Sequence, residues 1–121
     1  MTYSDEPMKT PYSVQVLQEC IDLQLAKSND YQNPNSTVKQ ADYYPSGVKT
    51  LHEIVHAKML RLKSLIETFE QNPDEKPNFE SIQDSCKDAI NYLSFLASYA
   101  DGQIDGQDKT KNMLNRYANN N

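Results

Sequence analysis

Two long runs of apolar residues at helical spacing constrain the fold of this chain more than any other feature. From 48 to 71 the apolar residues recur every three or four positions and form one wide face: Leu51, Ile54, Val55, Met59, Leu62, Leu65, Ile66 and Phe69. From 79 to 100 the same spacing gives a core stripe of Ile82, Cys86, Ala89, Leu93, Leu96 and Ala100. Between them lies NPDEKPN, rich in helix breakers. The pattern predicts two long helices, the second capped by Asn78 and stopped by Gly102.

A shorter helix and a long loop precede these two runs. Ser13 is a candidate N-cap, and Val14, Leu17, Ile21 and Leu25 recur at helical spacing, which predicts a helix ending near Ser28. From 29 to 47 the periodicity disappears, and this stretch contains two prolines and three tyrosines. Loops of this length are usually functional or disordered, and aromatic residues favour an ordered loop. We therefore expect a functional loop with one short turn.

The length of 121 residues suits a single hydrophobic core. We predict an all-α fold, an antiparallel helical bundle with one long functional loop, over 13–100. Residues 1–12 would form an N-terminal arm. Residues 101–121 would form a polar tail that is poorly packed or contacts a partner subunit.

Composition excludes several classes of function. No stretch approaches the roughly 18 apolar residues of a membrane helix, and the first residues include Asp5 and Glu6 where a signal peptide is basic and then apolar. A cytoplasmic protein without a membrane partner is expected. The net charge of −5 disfavours a nucleic-acid polymer as partner, but not a small anion neutralised by a metal or by local cations. Cys20 and Cys86 show no metal-binding spacing and indicate small buried side chains in a reducing compartment.

One face of the last helix carries carboxylates opposite its core stripe. Glu80, Asp84 and Asp88 repeat every four residues, and Asn91 continues the same face. Like charges at this spacing destabilise a helix slightly, so the arrangement needs an explanation. A solvated acidic face is one interpretation. The other is a site for a hard cation, Mg²⁺ or alternatively Mn²⁺, because oxygen ligands suit such ions.

Two cations lie on the preceding helix in a related position. Lys58 falls inside the apolar arc and Arg61 lies at its edge. Their aliphatic stems could be buried while the charges reach water. Alternatively, they balance the carboxylates and bind phosphate oxygens when a substrate arrives.

The same helix contains HEIVH, which matches the HExxH pattern of zinc peptidases. His52 and His56 would bind zinc, and Glu53 would act as the base. The chain has two histidines in total, and no strand is evident to align a peptide. Two histidines on a polar face are the simpler interpretation, and zinc peptidase is the weaker alternative. Glu53 is retained as a candidate ligand of the Mg²⁺ site.

The order of motifs along the chain resembles a known family. KSNDY at 27–31, YPSG at 44–47, KMLRLKSL at 58–65 and ESIQDSCKDAINY at 80–92 are similar to KxxDYG, a Tyr/Gly loop, DKxxRLxSL and ESIxDxxxDLxNYA. These motifs belong to the phage-associated group of MazG-like all-α nucleotide pyrophosphohydrolases labelled nucleotide modification associated domain 1. The chain departs from the group at Gln32 and Ala57, where the motifs have Gly and Asp.

The resemblance implies a Mg²⁺-dependent enzyme that cleaves (d)NTPs to a nucleoside monophosphate and pyrophosphate, in a homo-oligomer, a dimer or tetramer. In a phage it would modify the nucleotide pool of the host cytoplasm. Metal ligands would be Glu80, Asp84 and Asp88, assisted by Glu53. Lys58 and Arg61 would be the catalytic cations. Nucleotide contacts would come from Lys27, Asp30, Tyr31, Tyr44 and Asn91. A site short of one carboxylate suggests the alternative, a non-catalytic protein that binds and sequesters a nucleotide or nucleotide signal.

Overall fold

The computed structural model describes residues 10–31, 33–74, 76–108 and 113, with the side chains of all except 29–31 and 76–78. Within these ranges the regular structure is helical throughout: α1 at Tyr12–Tyr31, a 3₁₀ helix at Gln40–Tyr43, α2 at Val48–Gln71 and α3 at Lys76–Ala100. For the described residues the prediction of an all-α fold is confirmed. None of the helices in the described part is long and apolar enough to cross a membrane.

The boundaries of α2 match the prediction, whereas α1 and α3 are longer. α1 begins at Tyr12, so Ser13 lies in its first turn and is not the N-cap, and the helix continues to Tyr31. α3 begins at Lys76. Pro77 therefore lies in the first turn, where its missing N–H costs no hydrogen bond, and Asn78 lies inside the helix rather than at its cap.

α2 and α3 run antiparallel over their whole length. The rings of Phe69 and Phe79 lie 6.3 Å apart next to the connecting loop. Further along, Lys58 of α2 contacts Asp88 of α3. At the far end Leu51 of α2 is fully buried. The core lies at this far end and consists of Leu51, Ala41, Tyr44 and Ile104, with Ile54, Tyr92, Phe95, Leu96 and Tyr99 packed against it.

The loop between α1 and α2 is anchored to the core by its second half. Ala41 and Tyr44 are buried there, and the expected short turn is the 3₁₀ helix. Gly47, the residue before α2, has a φ of 62°, and a Cβ at this position would lie 2.8 Å from the Tyr99 ring. A side chain is therefore excluded on two counts, the backbone conformation and the close approach.

The segment after α3 also belongs to the core, so the expectation of a poorly packed arm starting at 101 is wrong for this part. Ile104 and Gln107 are buried. The Gln107 side chain donates to the Tyr99 carbonyl at 2.7 Å and accepts from the Ile104 N–H at 3.0 Å. The Ala41 N–H donates to the Asp105 carbonyl at 3.0 Å. These bonds fasten the segment to both α3 and the 3₁₀ helix, while 109–112 and 114–121 lie outside the described residues.

α1 packs on α3 and leaves its apolar stripe uncovered. Val14, Leu17 and Ile21 are 47%, 50% and 50% exposed, and Leu25 is 66% exposed. Cys20, on another side of the helix, is 2% exposed. The spacing of the stripe correctly predicted a helix, but among the described residues the stripe covers no core.

The burial of Ile104 gives a test of whether the segment after α3 stabilises the fold. We expect Ile104→Ala to lower the free energy of unfolding by about 2–5 kcal/mol, because it removes buried methyl groups and leaves a cavity. The matched control is Ile66→Ala, since Ile66 is 41% exposed and alanine favours the helix. Urea unfolding measures both. Equal destabilisation by the two variants would show that the segment is not part of the core.

Candidate functional site between the three helices

The seam between α1 and α3 is mostly polar. Lys87 Nζ lies 2.8 Å from Glu19 Oε1. Nearer the end of α1, Gln24 Nε2 donates to Asn91 Oδ1 at 3.0 Å and to Ser94 Oγ at 2.7 Å. These contacts advance along both helices in the same direction, so α1 and α3 run parallel. A seam held by polar groups leaves room for solvent beside it, and two cavities lie there.

Two side chains of the seam have shifted pKa values. The hydrogen bond to the Glu19 carboxylate raises the pKa of Lys87, because it favours the charged ammonium. Burial raises the pKa of the Cys20 thiol, whose S–H points to the Lys87 carbonyl at 3.8 Å. Both cysteines are free. The Cys20 thiol therefore acts as a small buried group at neutral pH.

The larger cavity, which we call the charged cavity, has a volume of about 480 Å³. All three helices contribute to it. It is lined by Leu23, Lys27, Lys58, Arg61, Ser81, Asp84, Ser85, Asp88 and Asn91. Three cations and two carboxylates thus converge on one space.

A smaller cavity of about 190 Å³ adjoins the first, and we call it the amide cavity. The two share Leu23, Lys27, Asp88 and Asn91. The remaining lining of the amide cavity is Gln24, Leu25, Ser28, Gln40, Tyr92 and Phe95.

Lys58 contacts both a carboxylate and an aromatic ring of α3. Its ammonium lies 2.5 Å from Asp88 Oδ2 and 4.5 Å from the centroid of the Tyr92 ring. The lysine side chain is 24% exposed and the aspartate side chain 45%. The charge of Lys58 is therefore held by a carboxylate and an aromatic face instead of only extending to water.

Of the four carboxylates predicted to hold a metal, the structure brings Asp84 and Asp88 into the charged cavity. Glu80 is exposed and does not line it. Glu53 lines a different cavity with His52. It lies five residues before Lys58, which rotates it about 140° around α2. Among the described residues, no three His, Cys, Asp or Glu side chains lie close enough together to hold a metal. The predicted four-ligand set is therefore not assembled within this chain.

The HEIVH segment lies on an exposed side of α2. His52, Glu53 and His56 are all exposed. A zinc peptidase needs a third protein ligand. The part of the chain that the structure describes offers no group of three ligands here. The geometry favours two histidines on a polar face.

The structure places the residues predicted to contact the nucleotide in different surroundings. Lys27 and Asn91 line both cavities. Tyr44 is 2% exposed, and its hydroxyl accepts a hydrogen bond from Gln40 at 3.3 Å. Its ring is a core side chain and lines neither cavity, so the structure does not place Tyr44 with the other predicted nucleotide contacts. The side chains of Asp30 and Tyr31 lie outside the described residues.

Several residues of the two cavities were not predicted from the sequence. Ser81 and Ser85 share the carboxylate face of α3 at spacings of three and four residues, which is a signal that the sequence contains. Gln24 and Gln40 carried no such signal. Gln40 reaches the amide cavity because the 3₁₀ helix is fastened to the core, and this placement depends on contacts far apart in sequence.

Comparison with models of protein families, with curated proteins and with solved structures found no match for this chain.

We predict that the protein loses stability at alkaline pH because of two titratable groups in the seam between α1 and α3. The folded protein keeps the Cys20 proton to a higher pH than the unfolded chain, so the free energy of unfolding should fall as pH rises above about 8.5, the pKa of a free thiol. The raised pKa of Lys87 acts in the same direction at higher pH, where its stabilising charge is lost.

Urea unfolding between pH 7 and pH 10 measures this effect. Cys20→Ala should show a shallower decline than wild type, because it lacks the buried thiol. The control Thr37→Ala, which changes an exposed side chain without a titratable group, should keep the wild-type decline. The same pH dependence in both variants would contradict the role of Cys20.

Proposed function

We propose that the chain is a Mg²⁺-dependent nucleoside triphosphate pyrophosphohydrolase of the MazG-like type, and that the charged cavity holds the triphosphate. The observation that carries the proposal is the meeting of Lys27, Lys58 and Arg61 with Asp84 and Asp88 in one cavity. Cations bind phosphate oxygens, and carboxylates bind the hard cation that accompanies a nucleotide. The order of motifs along the sequence supports the same activity.

The charge of the cavity favours an anionic ligand. Three cations minus two carboxylates leave a local charge of +1, although the chain as a whole carries −5. A cleft of opposite sign to the rest of the protein concentrates an anion at that place. The charged cavity is therefore the best candidate for phosphate groups among the described cavities.

The donor set fits Mg²⁺, or Mn²⁺, when phosphates complete its coordination. Asp84 and Asp88 lie one turn apart on the same face of α3 and both line the cavity. Mg²⁺ is commonly bound by one or two carboxylates together with substrate phosphates. These two aspartates would hold the ion, which would neutralise phosphate charge and lower the pKa of a bound water.

The cations of the chain bind and orient the phosphates. Arg61 presents a planar guanidinium that can make two parallel hydrogen bonds to a phosphate. Lys58 exchanges its contact with Asp88 for a phosphate oxygen, and Lys27 approaches from α1 on the other side. Charge that develops on the leaving pyrophosphate is stabilised by these fixed cations.

A second candidate, a protein that binds and sequesters a nucleotide without cleaving it, is favoured by one observation. Two carboxylates line the charged cavity among the described residues, and one of them is paired with Lys58. Such a site holds fewer negative charges for activating water. Pyrophosphate release from a panel of (d)NTPs with Mg²⁺ distinguishes the two, because the second candidate predicts tight binding without release.

The variant Asp84→Asn tests the metal site. The amide keeps an oxygen but loses the charge that binds a hard cation. Pyrophosphate release should therefore fall at least about tenfold, since replacing even a residue that only supports a metal ligand typically lowers activity by about that factor. The rise in melting temperature that Mg²⁺ induces should be largely lost. Stability without Mg²⁺ should be unchanged or slightly higher, because repulsion from Glu80 and Asp88 is relieved.

The matched control is Asp101→Asn, an exposed aspartate just beyond α3 that lines neither cavity. It should keep wild-type turnover. Full turnover and an unchanged Mg²⁺ response in Asp84→Asn would show that the metal is not held at this face of α3.

The exposed stripe of α1 supports a homo-oligomer as part of the proposal. A contiguous row of apolar side chains at half exposure typically marks an interaction surface, and a second copy of the chain can cover it. We expect light scattering to give at least twice the chain mass of 13.9 kDa at micromolar concentration.

Ile21→Glu should shift the protein towards the mass of one chain, because it places a charge in the centre of the stripe. Ala26→Glu is the matched control, since Ala26 is exposed and lies about 140° around α1 from Ile21. A wild-type mass of one chain would refute the oligomer.

A further inference from the structure

The contact between Lys58 and Asp88 is the one ion pair in the charged cavity, for the part of the chain that the structure describes. Lys27, Arg61 and Asp84 line the same cavity without an ion pair to any described residue. A ligand that takes Lys58 or Asp88 must therefore break an existing contact. We infer that this pair makes the cavity a site for Mg²⁺ and phosphate together and disfavours either one alone. The inference rests on the proposed function, because it places both ions in the same cavity.

Mg²⁺ without phosphate meets a site that is already positive. The lining charges sum to +1, and the two charges of the ion bring the cavity to +3. To bind the ion, Asp88 must also release Lys58, whose ammonium then lies close to a divalent cation without its carboxylate. Like charges repel more strongly in a partly enclosed cleft than in bulk water, so Mg²⁺ alone binds weakly.

Phosphate without a metal meets the opposite problem. A phosphate oxygen that binds Lys58 takes the ammonium from Asp88, whose carboxylate then faces the anion together with Asp84. Two unpaired carboxylates repel a polyphosphate and offset part of its attraction to Lys27 and Arg61. The anion alone therefore also binds less tightly than the cations of the cavity would allow.

Mg²⁺ and phosphate together replace both partners of the ion pair. Asp88 passes from the ammonium to Mg²⁺, and Lys58 passes from the carboxylate to a phosphate oxygen, so neither charge is left unpaired. The two ligands share the cost of opening one contact, which is a coupling free energy between their sites. By linkage, each ligand raises the affinity of the protein for the other by the same factor.

The ring of Tyr92 holds the ammonium of Lys58 at the cavity during this exchange. Its centroid lies 4.5 Å from Lys58 Nζ, within the range of a cation–π interaction. The ring packs edge to face on Phe95 with centroids 5.4 Å apart, and both residues pack against the core. An aromatic face attracts the ammonium whether its other partner is a carboxylate or a phosphate. Lys58 can therefore change its partner without leaving the cavity.

Titration calorimetry with Mg²⁺ alone and with Mg²⁺–tripolyphosphate tests the pair from the cation side. Lys58→Met removes the charge and keeps most of the aliphatic stem. It should bind Mg²⁺ alone at least about fivefold more tightly than wild type and Mg²⁺–tripolyphosphate at least about fivefold more weakly, the lower end of the coupling common between two sites. Lys27→Met is the matched control, because it removes the same charge from the same cavity and leaves Asp88 paired. Its gain in affinity for Mg²⁺ should be clearly smaller.

Tripolyphosphate in the presence of EDTA tests the pair from the carboxylate side. Asp88→Asn releases Lys58 from its charged partner, so this variant should bind tripolyphosphate at least about fivefold more tightly than wild type. Asp84→Asn is the matched control, because it removes the same charge from the same cavity without freeing a cation. Its gain should be clearly smaller. Asp88→Asn is nearly isosteric, so this comparison decides the matter even if Lys58→Met fails to fold.

The results separate this inference from the proposed function. Equal gains within either pair of variants would show that only the total charge of the cavity matters. If wild type still bound Mg²⁺–tripolyphosphate, that result would overturn the coupling through Lys58 and Asp88 and leave the proposed phosphate site standing. Failure of wild type to bind Mg²⁺–tripolyphosphate would overturn the proposed function, and the coupling with it.

Discussion

The packing of α2 against α3 is the contact on which the rest of the structure depends. Leu51 is completely buried between them, and the 3₁₀ helix and the segment after α3 both close over the same end of this pair. The main-chain bond between Ala41 and Asp105 then joins these two coverings to each other. Without the helix pair, neither covering segment would have an apolar surface to pack on, since the apolar residues of each are few.

The site lies where this core ends and polar contacts begin. Toward the middle of the helix pair, α2 and α3 are held by the ion pair between Lys58 and Asp88. Glu19 and Gln24 of α1 make polar contacts with α3. Burying such groups fully would cost free energy unless each were paired, so the three helices stay slightly apart and leave two cavities. The same polar character that weakens the packing supplies the cations, carboxylates and amides for a ligand.

Much of the site could be predicted from α2 and α3 alone because their residues obey helical spacing. Asp84 and Asp88 share a face for that reason, and Lys58 faces them because the helix pair is antiparallel with a short connection. Glu80 shares the face but lies outside the cavity, since spacing fixes direction around a helix and not where a neighbour begins. Tyr44 was predicted to be a nucleotide contact in the loop, and its ring lies in the core instead.

The sequence by itself determined the all-α character of the chain, the limits of α2 and the faces on which carboxylates and cations lie, because helical periodicity is a local property of consecutive residues. Only the tertiary structure decided that Ile104 belongs to the core, that the stripe around Ile21 does not, and that Gln40 meets Gln24 beside Asn91. These outcomes depend on contacts between residues far apart in the chain. The native set of such contacts is the one that gives the whole folded chain the lowest free energy, and no single segment specifies it.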